Sequence, residues 1–393
     1  MNKNLILLSL FFMIGSQAVS PQSRTENLPV IDLLKTYPTK KKNLKDIAVR
    51  EYIALETTDD VLLSDNAVLS YVSDNYILVH EPQRGDIFVF SRAGKIVSHF
   101  NHRGPAPWEY PMIRQESGSN GTILDEKNGE IFVCSQSIQA YSLNGEHKRT
   151  LPVNTYQNNL SVFNFDDESL LVYEDYIMDL DKQNNPKTNP YSLISKKDGS
   201  QISVLDIYLP QRNALLWRQT VGSDMRGNQV FLPQNIHYGQ DFVIADISSD
   251  TLYLLSYNKK LTPLLTRKPS AHVSDPKIGW TTNLITNKFI QILKFPLGGN
   301  GGKVPVFTYE IETGEITQVS FFDPDADIGR RGLLEWGMSV YYPATNKNMF
   351  AELVWPSVII NANKAKQLKG DIVKFAQTLD DDDNPVVRII KFK

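Results

Sequence analysis

Asp74 to Tyr110 reads DNYILVHEPQRGDIFVFSRAGKIVSHFNHRGPAPWEY, three short apolar strands with turns between them. Ala67 to Val72, just upstream, adds a fourth candidate strand to Tyr76–His80, Asp86–Phe90 and Ile96–Phe100. All four are rich in β-branched and aromatic residues, which suit half-buried pleated positions. Ser73-Asp74-Asn75, Pro82 to Gly85 and Arg92-Ala93-Gly94 supply the turns. The unit is a four-stranded antiparallel meander, and weaker copies of it recur to the end of the chain. Radial repetition of such a meander predicts a β-propeller.

The second copy spans Thr122 to Leu151, with hairpin turns at Lys127-Asn128-Gly129 and Leu143 to Glu146. The third runs from Leu160 to Ile207, stretched by a polar insertion from Asp179 to Pro190. The fourth spans Gln229 to Thr266 and the fifth Trp280 to Phe322. The sixth begins at Met338 to Tyr342 and continues through Met349 to Trp355. It is then interrupted. Ala362, Ala365, Leu368, Ile372, Phe375 and Leu379 recur every three or four residues and predict one helix over 361–379. Asn361 or Asn363 is its expected cap, and Gly370 weakens it by up to about 1 kcal/mol. Asp380 to Pro385 ends it, and Val386 to Phe392 reads as the last strand.

The expected fold is therefore all-β: a six-bladed β-propeller over 28–393, one domain, with a C-terminal helix inserted before the last strand. An open seam would expose sheet edges. Pro29–Leu34 and Val49–Leu55 read as N-terminal strands, and pairing of N-terminal strands with the last strand in one blade is expected to close the ring, Val386–Phe392 taking part. Lys40, Lys41 and Lys42, between those strands, read as a solvated loop.

Residues 1–18 have the layout of an export signal. Lys3 is followed by an apolar core from Leu5 to Ile14, too short for a bilayer span, and by small residues Ser16 and Ala18. No cysteine follows for lipid attachment, and no later stretch offers a membrane span. The expected product is a soluble monomer in the periplasm or outside the cell. The net charge of −3 in 393 residues gives no basic field for nucleic acid. Cys134 is the single cysteine, so an intramolecular disulfide is excluded; it reads as a buried, inert thiol in a strand.

The chain resembles a family of six-bladed β-propeller proteins exported by Bacteroidetes, largely of unknown function. The resemblance rests on Ile53-Ala54-Leu55-Glu56-Thr57, Ser73 to Ile77, Asp86 to Phe90 with Gly94-Lys95, and the C-terminal helix followed by Asp383-Asn384-Pro385-Val386. That family's loop runs roughly G-x-G-P-G-E-Y. Here it is Gly104-Pro105-Ala106-Pro107-Trp108-Glu109-Tyr110, with two glycines replaced by Ala106 and Trp108. The resemblance implies fold and export, and no reaction.

This loop is the leading candidate surface. Arg103, Trp108, Glu109 and Tyr110, with His102, combine aromatic area, charge and hydrogen-bonding capacity suited to a sugar or peptide. The competing reading packs Trp108 and Tyr110 between blades, with Glu109 satisfying backbone amides. His237 is the candidate site histidine among six; none forms an H-E-x-x-H pair, and no G-x-S-x-G elbow occurs. Trp217, Trp280, Trp336 and Trp355 either line a groove or fill inter-blade space. Asp323-Pro324-Asp325-Ala326-Asp327 begins like a calcium loop, but Ile328 stands where glycine is needed. No cofactor and no metal site is expected. The function expected is non-catalytic binding of a glycan, a peptide or an envelope protein. The alternative is a metal-dependent hydrolase or lyase, lactonase-like, with its site in the central channel. An inert structural partner is a third reading. The side chains lining the channel decide among them.

Overall fold

The computed structural model describes residues 28–114, 121–155, 157–176, 187–221, 224–230, 235–297, 305–326 and 348–393. It is a six-bladed propeller. The first blade is an antiparallel meander of Val68–Val72, Tyr76–Glu81, Asp86–Ser91 and Ile96–Asn101. The second begins at Thr122–Asp125, the third at Leu160–Asn164, the fourth at Asn235–Tyr238 and the fifth at Ile278–Ile285. The sixth contains Met349–Val354 and Val386–Phe392; its expected first strand at 338–342 lies outside the described residues.

Closure follows the expected logic. Val386–Phe392 pairs antiparallel with Ala48–Ala54 on one side and with Met349–Val354 on the other. One side chain fastens the seam. Asn384 is 2% exposed. Its Oδ1 accepts from the Leu63 amide (2.8 Å), and its Nδ2 donates to the carbonyls of Glu56 (2.8 Å) and Val61 (2.7 Å).

The N-terminal segment does more than close the seam. Val30–Asp32 lies parallel to Leu261–Lys268 as a fifth strand of the fourth blade, and Thr39–Asn43 lies parallel to Ile316–Phe322 on the fifth. The segment thus runs as a belt over three consecutive blades, its strands starting at residues 30, 39 and 48. This corrects the loop expected at Lys40–Lys42. Backbone pairing holds these lysines in an edge strand, while Lys40 reaches Glu315 (2.8 Å) and Lys42 pairs with Glu310.

The single expected helix is two. Pro356–Lys364 starts earlier than predicted, with Pro356 in the first turn, where its fixed φ suits a helix and its missing N–H costs nothing. Asn361 and Asn363 therefore sit inside it rather than capping it. Lys366 and Gly370 take positive φ (57° and 76°), which ends one helix before Asp371–Ala376 begins. The apolar stripe survives the break: Ala362, Leu368, Ile372 and Leu379 share one cluster with Ile359 and Val386, while Ala365 is exposed. A hairpin, Leu215–Val221 with Asp224–Val230, precedes the fourth blade and was not foreseen; Trp217 lies on it.

Between blades the core is apolar. Trp280 is fully buried and its indole N–H donates to the Ser249 carbonyl (2.8 Å), so this tryptophan fills inter-blade space. Cys134 is buried beside Ile123 and Phe132, and burial pushes its thiol up to about 12. It is an inert core residue, as expected.

Candidate binding channel

In each meander the first strand is entered from the connection with the preceding blade and leaves into the first turn. The first turns therefore cluster around the ring axis at one end, and the inter-blade connections approach it from the other. At the turn end the first strands of four blades enclose a cavity of about 870 Å³. Its wall runs from Ser70 and Tyr71 through Thr122 to Lys127 and Val162 to Asp167, and ends at His237 to Phe242 with Tyr257.

The wall is rich in carboxylates: Asp74, Asp125, Glu126, Asp166, Asp167 and Asp241. Lysines neutralise three of them. Lys196 meets Asp125 (2.6 Å), Lys259 meets Asp166 (3.3 Å), and Lys127 pairs with Asp167, holding that carboxyl below its usual range. Glu126 accepts from the Tyr71 hydroxyl (3.0 Å) and from Asn75, and Asp241 accepts from the Tyr257 amide (2.9 Å). Among the described residues no cation pairs with Asp74, Glu126 or Asp241.

Deeper in the wall, Ser70 Oγ lies 2.6 Å from His80 Nδ1, and Thr122 Oγ1 is 2.8 Å from Ser70 and 3.1 Å from the same nitrogen. A serine touching a histidine invites comparison with a nucleophile and its base. Burial lowers His80 to about 3, however, so the imidazole is neutral and a weak proton acceptor near neutral pH. His237, held against Phe242 at 4.2 Å between ring centroids, is likewise lowered by burial, to about 4.

The residues singled out from the sequence thus fall in two places. His237 borders the cavity. Arg103, Trp108, Glu109 and Tyr110 share the loop on the far side of the first blade. There Tyr110 is fully buried in the core between the first two blades. Its hydroxyl donates to the Gly85 carbonyl (2.7 Å) and accepts from the His102 amide (3.0 Å). Glu109 accepts from the Ala106 amide (2.9 Å), and Arg103 donates to the carbonyls of Gln83 and Pro111. A Cβ on Gly104 would stand 1.9 Å from Glu109 Oε2, so a side chain there would displace this carboxylate. The Tyr141 hydroxyl donates to the Trp108 carbonyl (2.6 Å), which leaves the indole 53% exposed.

The carboxylates of the cavity escaped the sequence reading because each looks like an ordinary solvated turn. The available signal was positional: an acidic residue follows the first strand in four successive units, at Asp74, Glu126, Asp166-Asp167 and Asp241. The calcium-like run resolves differently. Asp323 and Asp325 pair with Arg50, and Asp325 also with Lys45 (3.0 Å); Asp327 lies outside the described residues, as do Trp336 and the glycine-rich stretch 298–303. Among the described residues, no group of three His, Cys, Asp or Glu side chains is placed to share a metal ion.

Comparison with known proteins supports the architecture. A "putative exported protein" of Bacteroides fragilis superposes with a TM-score of 0.57 at 11% identity, over 93% of this chain and 99% of that one. A member of the duf4221 family from Bacteroides vulgatus gives a TM-score of 0.44 at 11% identity, over 88% and 97%. A catalytically inactive virginiamycin B lyase from Staphylococcus aureus gives 0.32 at 14% identity, over 63% and 78%. At such identities the likeness concerns fold alone. No curated protein matches the chain. The family described as a domain of unknown function, DUF4934, matches residues 28–391, and the chain belongs to that family.

Proposed function

We propose that this protein is an exported binding module that holds a ligand in its axial cavity without transforming it. The observation that carries the reading is the cavity itself: about 870 Å³, walled by carboxylates and by aromatic side chains. A concave site with a few convergent polar groups is where ligands are held. His237 belongs to this wall. The Ser70–His80 contact favours binding over hydrolysis, because a base lowered to about 3 extracts a serine proton poorly. Export is supported by residues 1–18 and by the name of the Bacteroides fragilis protein. No helix among the described residues is long and apolar enough to cross a membrane. The site of action is the periplasm or the cell exterior, and the partner a peptide, a glycan or an envelope protein met by a monomer.

The test is a screen of the purified chain against peptide and glycan arrays, repeated with Ser73→Trp to obstruct the mouth. Binding that the obstruction abolishes supports the reading. Retained binding, or turnover of a bound compound, overturns it.

A further inference from the structure

Resting on that reading, we infer that the ligand presents an alkylammonium group, as on a lysine side chain or a polyamine. Three observations converge. First, the cavity wall carries three carboxylates that no lysine or arginine neutralises among the described residues, on Asp74, Glu126 and Asp241. They belong to the first, second and fourth blades, so their charge faces a shared space rather than one turn.

Second, hydrogen-bond capacity in the wall is lopsided. Asn164 lines the cavity, and its Oδ1 is buried with no hydrogen-bond partner among the described residues. An unsatisfied buried acceptor is destabilising unless a donor arrives. Three of the wall's hydroxyl donors are already engaged. The Tyr71 hydroxyl donates to Glu126, the Tyr238 hydroxyl to Asn287 (3.1 Å) and the Thr122 hydroxyl to Ser70. An ammonium group has three donors and no acceptor, which matches this surplus. A neutral sugar brings a hydroxyl acceptor with each donor and no charge to meet the carboxylates.

Third, tyrosines line the same cavity as the carboxylates: Tyr71, Tyr238 and Tyr257. Tyr71 contacts Glu126, Tyr257 contributes its amide to Asp241, and the Asp241 charge helps burial hold the Tyr238 phenol above its usual range. A ring face next to a carboxylate holds an alkylated cation through its methylenes and its charge together.

The experiment is calorimetric titration of the full exported chain with spermidine, with a short lysine-containing peptide and with a neutral oligosaccharide of similar size. Spermidine alone binding points to a free polyamine, and the peptide binding more tightly points to a peptide source; either supports the inference. Affinity is expected to fall about tenfold in Glu126→Gln/Asp241→Asn, and to fall again between low and about 0.3 M salt. Trp108→Ala, on the far loop, is the folded control and should bind as the parent does. Oligosaccharide binding that ignores both neutralisations overturns the inference and leaves the cavity reading intact. Binding of calcium ion alone overturns the inference too. Failure of all three probes, with array binding elsewhere on the surface, removes both.

Discussion

The two ends of the ring use polar residues in opposite ways. At the connection end, Tyr110, Glu109, Arg103 and Asn384 each spend their hydrogen-bonding groups on backbone atoms of neighbouring segments. At the turn end, Asp74, Glu126 and Asp241 stand around open space without a cationic partner among the described residues. The same residue types therefore satisfy backbone groups at one end and leave three carboxylates without a cation among the described residues at the other. Residue type alone does not separate these roles. What separates them is whether the group borders open space: Asp241 also accepts a backbone amide, yet it lines the cavity.

That contrast breaks most easily at Tyr110. Replacing it with alanine removes a fully buried ring and should cost about 3–5 kcal/mol in urea unfolding. A loss under about 1 kcal/mol would mean the loop does not fasten the blades. Next in size is a pH effect on the cavity floor. His80 titrates near 6.5 when unfolded and near 3 when folded, so the unfolded chain takes up the proton first. The contribution is complete above about pH 6.5 and is lost as pH falls toward 3, at up to about 1.4 kcal/mol per unit. Between pH 7 and 5 the parent should lose about 2 kcal/mol more than His80→Gln; parallel pH slopes would show that His80 is not buried neutral.

Gly104→Ala sharpens the comparison at smaller scale. It should cost about 1 kcal/mol by pushing Glu109 off the Ala106 amide, and the cost should vanish in a Glu109→Ala background. Additive losses would separate the two residues. The smallest effect belongs to the turn end. Asp241→Asn should leave stability within about 0.5 kcal/mol of the parent, because its carboxylate has no cation to lose. A large destabilisation would reveal a hidden fastening role there.

The sequence made the blades legible because alternating apolar residues between turns carry a local signal that no distant contact can imitate. The closing strand Val386–Phe392 was legible for the same reason, joined to the cost of an open edge. The belt strand at Lys40–Lys42 was not: three lysines look solvated, and Lys40 and Lys41 are exposed, while Lys42 is half-buried against Glu310 and the backbone pairs with Ile316–Phe322. The helical stripe from Ala362 to Leu379 was read correctly as a buried face and wrongly as continuous. The period of three and four says which residues meet the core, and a break at Lys366 and Gly370 leaves most of that face in place. The candidate site was the least legible part. The loop at Gly104 displays its chemistry in seven consecutive residues. The channel assembles its chemistry from turns far apart in the chain, each unremarkable alone.

The belt has a consequence for how copies of this protein meet. It covers the outer strands of the fourth and fifth blades and completes the sixth, so on that half of the rim the outer edges are its own strands, the one on the fifth blade carrying Lys40, Lys41 and Lys42. Among the described residues, the outer edges of the first three blades are Ile96–Asn101, His147–Leu151 and Gln201–Val204. Lysines guard the fifth blade's edge against lateral stacking of rings, whereas the third blade's edge exposes the apolar side chains of Ile202 and Val204.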